Sequence, residues 1–190
     1  MNQSLFKRPF FWYGIYYGVA SILIFSLIYA LNFEFFGRFF WWMGIGVMAL
    51  VAFMIMGGMA ERKANGGYLT YFDGFKYLFL IGIIGYIVNL LFTIVFVNFI
   101  DPGFNENLRI VIKESTMEMM QKWEVPDEKI DLEMDKMDAQ FTNANTAWYY
   151  LKQFFSSAVM SMIFALICAL FVKRNRPDNM PDFKPLDQIS

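Results

Sequence analysis

The side chains that could carry chemistry are few in this chain and unevenly placed. There is no histidine among 190 residues and a single cysteine, Cys168. The usual general base, the thiol–imidazole pair and the imidazole-rich metal site are therefore missing. Carboxylates remain, and 11 of the 17 acids fall between Asp101 and Thr146, against five bases (Arg109, Lys113, Lys122, Lys129, Lys136), a local net charge of −6. These acids lack the D-x-[DN]-x-[DN]-G spacing and the glycine turn of a calcium loop. Nothing around them suggests a dry cleft that would raise a carboxyl pKa. They read as a solvated face, so no catalytic residue, metal site or cofactor is expected, and the protein is not expected to be an enzyme. A net charge of −1, with no basic patch beyond the tail, also speaks against nucleic acid as a partner.

A second polar constellation is the stretch Glu61 to Lys76. Gly66-Gly67 supplies a turn that can use positive φ. Thr70 and Asp73 have the Ser/Thr-x-x-acid spacing of a capping box, with Asp in place of Glu, so the stretch is expected to start a helix. It has no GxxxxGK[ST], which excludes a phosphate cradle of that kind.

The elements that must position these residues are set by four stretches without a charged side chain. These are Pro9 to Phe33 (25 residues), Phe39 to Ala60 (22), Tyr77 to Ile100 (24) and Gln153 to Val172 (20). A helix needs about 20 apolar residues to cross a bilayer. Hydrophobic residues make up 57% and charged residues 17% of the chain, against about 45–50% and about 25% in soluble proteins. The reading is an all-α polytopic membrane protein, a single membrane domain with spans at about 10–32, 39–60, 71–100 and 149–172. A helical insertion follows at about 102–146 and a tail at 173–190. The first run is too long for a signal peptide and has no Ala-x-Ala site, so it is expected to remain as a span. Cys168 lies inside the fourth.

Nine Lys and Arg (Lys7, Arg8, Arg62, Lys63, Lys76, Lys173, Arg174, Arg176, Lys184) fall on one side of this arrangement, which predicts cytoplasmic termini and an extracytoplasmic insertion. Aromatic clusters at Phe10 to Tyr13, Phe39 to Trp42, Tyr71-Phe72 and Trp148 to Tyr150 abut polar stretches, where amphipathic rings mark membrane edges. Inside the spans, small and weakly polar residues recur at helical spacing: Gly14, Gly18 and Ser21 in the first; Gly82, Gly85, Asn89 and Thr93 in the third; Ser157, Ser161, Ala165 and Cys168 in the fourth. Such faces let membrane helices approach closely. The competing reading is a polar path for a substrate with Asn89 at its narrowest point, weakened by the absence of ionisable groups deep in a span.

Asp101-Pro102 should stop the third span. Two helices should follow. Asn105 would cap the first, running to about Trp123 with Leu108, Ile112, Met119 and Trp123 as apolar anchors. Pro126 would open the second, where Ile130, Met134, Met137 and Phe141 recur on one face. That stripe calls for a cover on the bundle rim, a second copy or another protein, and makes these four residues the candidate partner surface.

The loop K-A-N-G-G-Y-L-T-Y-F-D-G-F-K, a long apolar span ending in F-I-D-P-G-F, an acidic Met-rich helical stretch and a last span ending in K-R-N-R-P together resemble the domain of unknown function 4199 family of bacterial membrane proteins. The resemblance runs from about Phe10 to Pro177, with Gly66, Gly67, Thr70, Asp73, Phe75, Lys76, Asp101 and Pro102 at corresponding positions. The family pattern commonly has Ser and Glu where this chain has Thr70 and Asp73. It implies four spans and a bacterial inner-membrane location, and brings no activity. The function expected is that of a scaffold or accessory subunit, with membrane lipids and a second copy or an envelope protein as partners. The alternative is a small transporter or lipid-handling protein using the polar stripes of spans three and four.

Overall fold

The computed structural model describes residues 5–142 and 146–175. The residues of the tail from 176 onward lie outside the described residues. Among the described residues the regular elements are helices: α1 (Pro9–Leu31), α2 (Phe39–Ala64), α3 (Tyr71–Val95), α4 (Phe104–Lys122), α5 (Asp127–Thr142) and α6 (Ala147–Val172). Short 3-10 turns cover Leu5–Lys7 and Phe33–Gly37, and a π-helical turn, Phe96–Ile100, extends α3. Four stretches are long and apolar enough to cross a membrane: Pro9–Leu31, Met43–Ala64, Tyr71–Ile100 and Ala147–Val172. The fold is an all-α, four-span membrane architecture with a helical hairpin between the third and fourth spans.

Lipid offers backbone N–H and C=O groups no partner, so an apolar stretch of this length closes its hydrogen bonds within itself as a helix. Pro9 suits the first position of α1 because its missing N–H would be unpaired there in any case. Along α1, Trp12, Tyr16, Val19, Leu23, Leu27 and Leu31 are exposed at steps of three and four, the face that lipid would cover. Helix α2 does not stop at Ala60, where its charge-free run ends. It continues through Glu61, Arg62 and Lys63 to Ala64, and the two bases in its last turn complement the negative end of the helix dipole.

Two compact units are built from the chain. The first takes Met1–Ser21, Val47–Asn89 and Phe154–Ser190. Its core is made by Phe10, Leu50, Met54, Leu78, Ile81, Ala165, Ala169 and Val172, with Cys168 buried among them. The second takes Ile22–Gly46 and Leu90–Gln153. Its core is a set of aromatic rings around Phe36, Phe96 and Phe104, with Phe25, Tyr29, Phe33 and Phe92 packed on them.

Candidate functional site

One end of the first unit carries a polar collar. Glu61 is completely buried, and its Oε1 accepts the backbone N–H of Phe10 at 2.8 Å. That amide is one of the donors at the start of α1 without a partner inside the helix, so the carboxylate both satisfies it and faces the positive end of the α1 dipole. Arg8 lies 3.8 Å from Glu61 and donates to Asn65 Oδ1 at 3.3 Å and to the Tyr77 hydroxyl at 2.7 Å. Asn65 in turn donates through Nδ2 to the Glu61 carbonyl at 3.0 Å. Glu61 is the functional-group position that reading the sequence missed. Its signal was weak: an acid directly after a charge-free run, with a base directly before another.

The collar continues through the glycine turn. Gly66 and Gly67 have φ of 72° and 91°, and the Gly67 N–H donates to the Arg62 carbonyl at 2.8 Å, closing the end of α2. Thr70 Oγ1 accepts the Asp73 N–H at 3.2 Å and donates to Asp73 Oδ2 at 2.7 Å. This departs from the usual capping box, in which the acid reaches back to a backbone N–H. Asp's shorter side chain meets the hydroxyl instead. Leu69 and Arg174 exchange backbone hydrogen bonds of 2.9 and 2.8 Å, and Arg62 donates to the Val172 carbonyl at 3.3 Å, which ties in the end of α6.

The small-residue faces are contact points. A Cβ on Gly14 would lie 2.8 Å from Ile84 Cβ, and one on Gly18 would lie 2.6 Å from Val88 Cβ, so α1 and α3 approach closely. Gly82 abuts Ser161 of α6, and Gly85 abuts the Tyr17 ring. Asn89 donates to Ser21 Oγ of α1 at 3.2 Å, and Ser21 donates to the Gly18 carbonyl at 2.8 Å. Ser157 is half-buried, one turn before Ser161. The third span's polar face thus meets α1, through Asn89 and Ser21, and α6, through Gly82 and Ser161.

In the second unit Asp101 ends the third span, as its place before Pro102 predicts. Its Oδ2 accepts the Tyr29 hydroxyl at 2.9 Å and its Oδ1 accepts the Gly103 N–H at 3.1 Å. This displaces the expected cap. Gly103, not Asn105, is the N-cap of α4, because the Asp101 side chain already holds the chain where α4 begins. Trp123 is 64% exposed rather than an anchor, since α4 ends at Lys122 and the helical period stops there.

The hairpin closes on itself. Helices α4 and α5 pack together. Ile130 and Met134 are only 5% and 6% exposed, while Met137 and Phe141 are half-buried. The stripe chosen as a partner surface is therefore already covered, at Ile130 and Met134, within the chain itself. Asp138 bridges Lys113 at 2.7 Å and Arg109 at 3.1 Å, and the Lys113 hydrogen bond, with the charges of both bases, holds its carboxyl below the usual carboxylate range. Ile110, Met117, Trp123 and Leu132 stay exposed. Among the described residues no three His, Cys, Asp or Glu side chains converge as metal ligands.

The chain belongs to the family described as Protein of unknown function (DUF4199), which matches residues 12–174. No curated protein and no solved structure matches it.

Proposed function

We propose that the protein is a scaffold or accessory subunit of a bacterial inner membrane. It works by protein–protein association rather than catalysis, with both termini cytoplasmic and the α4–α5 hairpin on the other side. The Lys/Arg distribution supports this orientation. The observation that carries the association reading is the hairpin. It lies outside the four spans and covers its own apolar stripe, yet leaves Trp123, Leu132 and Ile110 exposed. Exposed apolar side chains, a tryptophan above all, are what a partner buries on binding, which supports the reading. The occupant is a second protein with a basic complementary face. Another copy of this chain would bring its own net −6 between Asp101 and Thr146 against like charge. A transport path is less well supported, because Gly82 and Ser161 abut and Asn89 bonds Ser21.

The test is site-specific photocrosslinking from exposed hairpin positions in intact membranes, together with native gels. The wild type should give a heterologous adduct that weakens with salt and is lost in Trp123→Ala/Leu132→Ser at unchanged abundance. Adducts only between copies would make the partner a second copy. Complexes indifferent to the double variant, with function abolished by Asn89→Leu, would favour the transporter or lipid-handling reading.

A further inference from the structure

Where α1 ends, the second unit leaves an apolar groove. Leu27, Ile28, Leu31 and Asn32, Phe35 of the following turn and Ile45 of α2 line a hollow of about 190 Å³, and all six belong to that unit. A Cβ built on Gly44 or Gly46, the residues flanking Ile45, would meet nothing within 4 Å, so α2 starts without close neighbours at either position. Leu27 and Leu31 are 59% and 82% exposed, which opens the hollow to the medium around the spans.

The groove crosses the edge of the membrane. Leu27, Ile28 and Leu31 lie within the first span and Ile45 within the second, whereas Asn32 and Phe35 lie just past the first. Water is a poor occupant, because an ordered water needs two to four polar partners and Asn32 is the one polar side chain of the lining. An apolar cavity of about 150 Å³ stays dry and takes a benzene-sized guest, so this larger hollow has room for a stretch of alkyl chain. The hydrocarbon beside a span supplies such chains. Asn32 supplies the polar end: it is exposed and begins the 3-10 turn without a side-chain capping hydrogen bond, which leaves its amide to donate to an ester carbonyl. Apolar wall inside the span and an amide just beyond it follow the order of chain and ester in a phospholipid. We infer that the groove is a binding site for one acyl chain of a membrane phospholipid, with the ester of that chain at Asn32.

The inference stands apart from the association reading and is tested separately. Full-length protein is placed in phosphatidylcholine vesicles containing a small share of phosphatidylethanolamine with a photoreactive acyl chain, and the adducts are mapped by mass spectrometry. Leu23 of α1 and Leu91 of α3 lie outside the groove and are 59% and 61% exposed, so they report ordinary lipid contact. Adducts at Leu27, Leu31 and Ile45 should exceed those at Leu23 and Leu91 at least about fivefold. Leu27→Trp should fill the groove and lower the yields at Leu31 and Ile45 about tenfold. Leu23→Trp, the same change at an equally exposed position, should leave them unchanged, which separates a filled groove from a disturbed helix. Asn32→Leu should lower them about fivefold, the loss of one hydrogen bond. An equimolar free fatty acid should displace less than half of the probe, and a photoreactive amino acid replacing Leu31 should capture lipid. Equal yields inside and outside the groove, Leu27→Trp labelled as the wild type is, full displacement by the fatty acid, or capture of a second copy from position 31 would each overturn the inference.

Discussion

The two units solve the same packing problem with opposite materials. In the first, helices come together through residues with little or no side chain: Gly14 and Gly18 against α3, Gly82 against Ser161, Ala165 and Ala169 in the core. In the second, seven rings (Phe25, Tyr29, Phe33, Phe36, Phe92, Phe96 and Phe104) fill the interior edge to face. Charge divides the same way. The first unit's described residues hold seven Lys and Arg against two acids, and the second's hold seven against twelve. Lipid removes the hydrophobic drive between spans, which leaves close backbone approach as the means of holding them. In the second unit Phe104 of α4 and Phe33 and Phe36 of the turn meet four rings from the ends of the first and third spans, and large rings give more apolar contact per residue.

The largest expected effect comes from emptying the ring cluster. Phe104→Ala should cost about 3–5 kcal/mol, read as lost amide protection in α4 and the Phe33–Gly37 turn with the first unit's amides unchanged. Equal loss in both units would break the distinction between them. Next comes filling the small-residue contact. Gly18→Leu must displace Val88 and should cost about 1–3 kcal/mol in thermal unfolding in mild detergent, whereas an unchanged melting temperature would mean that α1 and α3 do not meet there. Thr70→Ala should cost about 0.5–2 kcal/mol, with fraying confined to the start of α3 by hydrogen exchange. Fraying elsewhere would remove the cap from the account.

The smallest effect is that of pH on the hairpin. Asp138 has a lowered folded-state pKa, so its contribution is present above its unfolded value of about 3.9 and fades as pH falls through the lowered folded value. Protection of α4 and α5 should stay flat from about pH 8 to 5 and decline below about pH 4, more weakly in Asp138→Asn. Because the ion pairs are partly exposed, the change should be small.

What could be read from the sequence follows how local each signal was. The four spans were legible because a charge-free run of span length has few other uses, and Thr70 and Asp73 because a cap is formed by residues three apart. Glu61 was not, because the amide it serves belongs to Phe10, 51 positions away, and only the fold brings them together. The stripe of Ile130 and Met134 was legible as buried but not as to its cover, which proved to be α4 of the same chain. Asn105 and Trp123 failed for a shared reason: each stood at a helix end whose position was decided by neighbours, Asp101 at one end and the positive φ of Glu124 after the other.

The proposed orientation underlies the partner reading, and one measurement tests it most directly. Lys63→Cys and Glu128→Cys, each in a Cys168→Ala background, are treated in intact spheroplasts with a thiol reagent that does not cross membranes. The account predicts labelling at position 128 and none at 63 until the membrane is opened. Labelling at 63 with protection at 128 would contradict it, and would place the basic end outside and the hairpin in the cytoplasm.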